Sequence, residues 1–168
     1  GIDDYINLGN SFEFSATEFS VMFWVKIEDG NIDNIPHGIV SKNKMNNFGW
    51  WISVDSSNEM QFGGASASGQ YFSTLWQDIN HSNLNNGFYL TSIFDNGNVS
   101  LYVDTILVDE TSYDYDIYNS NDADLLIGKK IGDNFFSGFI DELIIYNSTL
   151  DQNKIHSLML CSPSEFDY

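Results

Sequence analysis

Arginine is absent from this 168-residue sequence, and its 6 lysines face 24 acidic residues, for a formal charge of −18. That balance excludes nucleic acid as a ligand, because neutralising phosphates needs a basic stripe that scattered lysines cannot build. An anionic membrane surface is disfavoured for the same reason, and no apolar run is long enough to span a bilayer. The single cysteine, Cys161, rules out an internal disulfide framework. Its neighbours Leu158, Met159 and Leu160 mark it as a packed or incidental thiol rather than a nucleophile. No signal peptide is visible. Since the chain opens directly on strand-like residues, we expect a module excised from a longer protein that is secreted or displayed at the cell surface. A strongly acidic surface suits salty or secreted surroundings and attracts divalent cations.

Catalytic signatures are equally scarce. His37, His81 and His156 stand alone, with no Ser-His-Asp order, glycine-rich phosphate loop or Cys/His zinc spacing around them. Retaining glycoside hydrolysis needs two carboxyls about 5–5.5 Å apart. Asp141 and Glu142 are adjacent and on a strand point to opposite faces, so they cannot form that pair. The expectation is a protein without enzyme activity.

What the sequence has in plenty is strand and turn. Phe19 to Ile27 alternates, with Phe19, Val21, Phe23, Val25 and Ile27 on one face. Gly38–Lys42, Gly49–Val54, Glu59–Phe62 and Tyr71–Leu75 read as further strands, and Gly63–Gly69 as a small, flexible link. Phe88–Phe94 and Val99–Val103 form a hairpin over Asp95-Asn96-Gly97-Asn98. Ile106–Glu110, Leu125–Gly128 and Phe135–Tyr146 follow. Only Asp151–Leu160 has helical character, with Asp151 as cap and Leu150 and Ile155 as a hydrophobic staple. We expect this helix to seal an edge. About a dozen short strands with turns every eight to twelve residues, roughly, predict an all-β, two-sheet antiparallel sandwich or jelly roll over residues 1–161, with residues 162–168 as a tail.

The chain is organised around the stretch Phe135–Leu150, FFSGFIDELIIYNSTL. Its sets Phe139, Leu143, Ile145 and Ile140, Ile144, Tyr146 predict an inner strand covered on both faces. Asp141 inside such a strand needs a partner, and a cation is the obvious one.

The order of landmarks resembles the laminin-G-like group of the concanavalin A-type lectin/glucanase superfamily over almost the whole chain. The residues that carry this are Asp3-Asp4-Tyr5-Ile6-Asn7-Leu8, Phe19-Ser20-Val21-Met22-Phe23-Trp24-Val25-Lys26, Ile39-Val40-Ser41-Lys42, Gly49-Trp50, Leu101-Tyr102-Val103-Asp104, and Phe136 to Asn147 before a short helix. Two places depart from the pattern. Phe88-Tyr89-Leu90 stands where relatives carry a Trp-His-His-like stretch, and Thr105 stands where glycine usually follows Asp104, so that turn is expected to differ.

The resemblance implies a structural calcium near the joined ends of the chain. Asp141 beside Asp3 or Asp4 would supply two carboxylates, and Asp29 and Asn31, or backbone oxygens near Gly138, would complete a shell of about six to eight oxygens. It also implies carbohydrate binding, in which aromatic rings stack on sugar C–H faces while amides and carboxylates bond the hydroxyls. Trp50 and Trp51 point to opposite faces, and the resemblance assigns Trp50 to the core. Trp51, Trp76, Tyr71 and Tyr89 are then the candidate platforms, with Asn46, Asn47, Gln70, Asn83 and Asn85 as polar neighbours. With 13 Phe, 9 Tyr and 4 Trp in the chain, most rings must be core or ordinary surface. The function expected is a calcium-containing carbohydrate-binding module of a larger polysaccharide-active protein. Neutral glycans fit it better than sulfated or uronic ones, given the lack of arginine. The alternative is a protein–protein or adhesion module. Asn-x-Ser/Thr sequons at Asn80, Asn98 and Asn147 are chance matches in so Asn-rich a chain.

Overall fold

The structure, a computed structural model, describes residues 3–10, 13, 17–28, 36–44, 49–55, 59–66, 68–77, 86–114, 116, 122–132 and 134–161. Alternating apolar residues produce two stacked antiparallel sheets, as the periodicity requires. The larger has the order β1 (Ile6–Asn7), β10 (Leu126–Ile127), β3 (His37–Asn43), β4 (Gly49–Val54), β5 (Met60–Ala65) and β6 (Tyr71–Trp76). Beside it, β11 (Lys129–Lys130) and β12 (Asn134–Phe135) pair with each other, and β12 pairs with β3 at Gly38. The smaller sheet runs β13 (Gly138–Tyr146), β2 (Glu18–Ile27), β7 (Phe88–Asp95), β8 (Asn98–Val103) and β9 (Ile106–Ser112). Between the sheets lies one apolar core, with Phe19, Phe23, Trp50, Ile52, Phe62, Phe72, Phe88 and Phe94 among its buried members.

Helix α1 (Gln152–Cys161) begins as expected: the Asp151 carboxylate accepts the Lys154 N–H at 2.8 Å. It does not seal an edge. Ile155, Leu158 and Met159 pack with Met22, Tyr89, Ile93, Ile144 and Tyr146 on the outer face of the small sheet, which explains why β2 and β7 are buried on both sides. Cys161 is free and exposed at the helix end. Among the described residues no helix is long and apolar enough to cross a membrane.

Three further expectations are corrected. Residues 135–146 are not a single inner strand: β12 belongs to the large sheet, and β13 is the edge of the small one. The register of β13 slips between Asp141 and Ile144, and Glu142 takes φ +50. This bulge shifts the alternation by one residue, so Ile140, Leu143 and Ile145 face the core while Phe139 is exposed. Acidic residues at a bulge blunt an edge against pairing with other chains, which accounts for carboxylates within an apolar strand. The first and last strands lie in different sheets. Finally, Gly63–Ala65 is no flexible link but the end of β5. A Cβ at Gly63 would sit 2.9 Å from the Trp51 indole, and one at Gly64 2.4 Å from the Phe72 ring, so only glycine fits at these places. The Asp104–Thr105 turn, expected to differ, keeps positive φ at both residues, +46 and +72, as in a type I′ hairpin.

A cleft at the end of the large sheet

The β11–β12 hairpin folds over the outer face of β3. A Cβ at Gly38 would lie 2.2 Å from the Lys130 Cβ, and the Ser41 hydroxyl donates to the Lys129 carbonyl at 2.9 Å. Lys130 Nζ comes to rest 5.0 Å from the Trp51 ring centroid. Burial lowers the Lys130 pKa, because desolvation disfavours the charged form. Trp51 therefore does face away from the core, as its neighbour's burial required, but it is 5% exposed and offers no open ring face. Its indole N–H donates to Gln61 Oε1 at 3.3 Å.

Of the other expected platforms, Trp76 is buried edge-on against Phe88, with centroids 5.0 Å apart. Tyr89 is 0% exposed beneath α1, 5.2 Å from the Trp24 ring. Burial first, then Tyr146 and Glu142, pushes its phenol pKa up to about 12. Both rings are withdrawn from the platform set, because β-strand parity turned Trp76 inward and the helix covered Tyr89. Tyr71 is 55% exposed at the start of β6, and Gln70 precedes it in a turn where Ser68 donates to its Oε1 at 3.1 Å. Asn46, Asn47, Asn83 and Asn85 lie outside the described residues, as do Asp29 and Asn31.

A cleft of about 430 Å³ opens where the hairpin ends, lined by Asn43, Lys44, Asp122, Ala123, Asp124, Leu126 and Ile131. Its architecture starts from Lys42, a charged residue buried in β3 whose ammonium donates to the Ala123 carbonyl at 2.6 Å. Burial lowers the Lys42 pKa, and the charges of Asp124 and Glu13 oppose that shift. The bond holds the 122–125 segment against the sheet. Asp124 accepts from Asn7 Nδ2 at 2.8 Å, and Lys44 pairs with Asp122 at the mouth. Asn43, next along β3, is 4% exposed, and neither its amide nitrogen nor its amide oxygen meets a partner among the described residues. Leaving a buried polar group unsatisfied costs about 1–3 kcal/mol, and both Asn43 amide atoms are buried, without accessible surface.

Sequence reasoning named none of these cleft residues. The available signal was the polar close of β3, Ser41-Lys42-Asn43, inside an otherwise buried strand. Asp122 and Asp124 carried no mark among so many acidic residues.

Of the expected calcium shell, only Asp3, Asp4 and Asp141 lie among the described residues. Among the described residues no three His, Cys, Asp or Glu groups converge as a metal site. Asp3 and Asp4 are exposed, and Asp141 Oδ1 accepts the Glu142 N–H at 2.9 Å. Asp4 does share a second cleft, about 270 Å³, with Tyr5, Ile6, Phe136, Gly138 and Ile140, between the edges of the two sheets.

Comparison with known proteins places the fold. Residues 1–156 match a laminin G family of the concanavalin A-like lectin/glucanases superfamily. No curated protein matches significantly. The binding domain of botulinum neurotoxin serotype D superposes with TM-score 0.74 at 16% identity, over 93% of this chain and 40% of that one. The serotype G binding domain gives 0.70 at 21% identity, over 94% and 40%. The binding domain of botulinum neurotoxin DC in complex with SialylT gives 0.68 at 23% identity, over 86% and 35%. The chain thus spans about two fifths of the length of these structures, each described as a binding domain. The chain belongs to the laminin G-like family of the concanavalin A-like lectin/glucanases superfamily.

Proposed function

We propose that this domain is a carbohydrate-binding module of a secreted or cell-surface protein, and that it takes neutral glycans in the cleft at Asn43. The observation that carries this reading is a cleft of about 430 Å³ in which apolar Leu126 and Ile131 stand beside polar Asn43, Lys44, Asp122 and Asp124. The Asn43 amide, buried and without a partner among the described residues, would pair with vicinal hydroxyls once a neighbouring side chain moves aside. Leu126 and Ile131 supply apolar contact for sugar C–H faces, while Asp122, Asp124 and Lys44 keep further hydrogen-bonding capacity at the rim. The formal charge of −18 and the pairing of Lys44 with Asp122 disfavour sulfated or uronic sugars. They also disfavour a sialylated ligand, even though one solved structure of similar fold is described in complex with SialylT.

A glycan array tests this with the native domain and Asn43→Leu, which keeps the volume and removes both polar atoms. Neutral saccharides should bind the native protein, and the variant should lose them about tenfold or more, the factor that 1.4 kcal/mol represents. Silence across the array, or equal binding by the variant, overturns the reading.

Calcium remains a separate part of the proposal, supported by the family resemblance and the excess of carboxylates. If it is bound, calcium raises the melting temperature by mass action and a chelator lowers it. An unchanged melting temperature discards calcium and leaves the sugar claim standing. The alternative of a protein-binding or adhesion module is favoured by one feature, the exposed Tyr5, Ile6 and Phe139 near the second cleft. Alanine at Phe139 abolishing a protein contact, with glycan binding absent, would favour it.

A further inference from the structure

Along each flank of the sandwich, an edge of one sheet comes near an edge of the other. On one flank β6 meets β9, and side chains clasp the β6 edge. The Tyr113 hydroxyl accepts the Ser73 N–H and donates to the Ser73 carbonyl, both at 3.0 Å, and Asp109 Oδ2 accepts the Leu75 N–H at 2.8 Å. On the other flank stand β1 and β13, each paired on one side only. Here the Glu28 N–H donates to the Ser137 carbonyl at 3.2 Å, and the Leu8 N–H to the Leu125 carbonyl at 3.0 Å. Antiparallel bonding alternates along a strand. With Gly138 opposite Ile27 and Ile6 opposite Ile127, the main-chain groups of Gly138, Ile140 and Tyr5 therefore point away from β2 and β10. All three residues line the cleft of about 270 Å³ between these edges. No described side chain clasps them as Tyr113 and Asp109 clasp β6. Tyr5, Ile6 and Phe139 are 46%, 55% and 51% exposed around the same edges. Asp3 and Asp4 before β1, with Asp141 and Glu142 on β13, make the approach acidic.

We propose that this flank accepts an extended, lysine- or arginine-bearing segment of a partner protein, added as a strand along β13 from Gly138 to the bulge at Asp141. This goes beyond the glycan reading, does not depend on it, and gives the protein-contact alternative a defined edge and partner. In strand addition, main-chain hydrogen bonds supply affinity and alternate side chains supply specificity. Side chains on one face of the added strand enter the cleft against Ile140 and Phe136, and those on the other face lie beside Phe139. The cleft volume falls below the range of about 300–1,000 Å³ typical of sites for compact ligands, so it suits side chains of a strand better than a free small molecule. Charge selects the partner. A second copy of the chain, at −18, is repelled, and the register slip after Asp141 stops a long self-pairing. A cationic segment is attracted to the same edge and needs only the short stretch before the bulge.

Three synthetic peptides test this: alternating Lys-Val, alternating Glu-Val, and Lys-Val N-methylated at every peptide nitrogen, which keeps the charge but cannot donate main-chain hydrogen bonds. Binding to the native domain is measured by calorimetry and by amide hydrogen exchange. Lys-Val should bind and slow exchange at Gly138, Ile140 and Tyr5 by about tenfold or more at saturation. The other two peptides should bind about tenfold or more weaker. Equal binding by the N-methylated peptide overturns the proposal, because charge alone then suffices. Absence of Lys-Val binding, or protection confined to other strands, overturns it as well. Replacing both acidic residues before β1, Asp3→Asn with Asp4→Asn, should weaken Lys-Val by about threefold or more while the melting curve stays unchanged. Undiminished affinity in that variant contradicts selection by charge. Sedimentation of the native domain alone should show a monomer, and a dimer that protects the same three amides would assign the edge to a second copy and overturn the proposal.

Discussion

Replacing Tyr89 by phenylalanine isolates one buried oxygen and gives two readings from the same protein. The Tyr89 hydroxyl lies beneath α1, wholly buried, without a hydrogen-bond partner among the described residues. Removing it leaves the ring against Trp24 and eliminates an unsatisfied polar group. After allowance for the small void, Tyr89→Phe should stabilise the fold by about 1 kcal/mol at pH 7. The second reading is alkaline. The folded pKa of about 12 stands above the ordinary phenol value of 10.0, so the folded state holds a proton that the unfolded chain releases first. Stability from this group is whole below pH 10 and is lost as pH rises to 12, by about 1.4 kcal/mol at pH 11 and about 2.7 kcal/mol beyond the folded pKa. Lys42 works in the opposite sense, since its lowered pKa means that stability rises as pH climbs through the folded value toward 10.5. The native curve therefore mixes the two, and only the difference between native protein and variant reports Tyr89. Urea denaturation at pH 7 and pH 11 should show the variant ahead by about 1 kcal/mol and then by about 2.4 kcal/mol. A variant less stable at pH 7, or a gap that does not widen, would refute the reasoning.

Thr105→Gly should stabilise by about 1 kcal/mol in thermal melts, because a β-branched residue at φ +72 is strained and glycine is not. Gly63→Ala should destabilise by about 1–3 kcal/mol and shift tryptophan fluorescence, since the new methyl strikes the Trp51 indole; an unchanged spectrum would contradict that packing. Asp151→Ala should cost about 1 kcal/mol through the lost helix cap, measured by urea denaturation.

The sandwich was legible because Phe19–Ile27 and Phe88–Phe94 alternate over enough residues to fix strand and face, and because Asn96-Gly97 supplies the positive φ of their neighbouring hairpin. The edge position of β13 was not, since a bulge at Asp141 and Glu142 is a single-residue slip that leaves the apolar count unchanged. Trp51 shows the same limit. Parity set its direction correctly, but its cover is Lys130, nearly eighty residues further along the chain, and alternation says nothing about what crosses a face. The Asn43 cleft depends on the Lys42 ammonium reaching a carbonyl at Ala123, a pairing that neither local sequence announces.

The central claim is that a sugar in this cleft pairs with the buried amide of Asn43. Calorimetric titration of the tightest neutral array saccharide into native protein and Asn43→Leu tests it most directly, with melting curves to confirm that both are folded. Loss of binding by about tenfold or more in a variant that melts at or above the native temperature is the predicted result. Undiminished affinity in that folded variant would contradict the account.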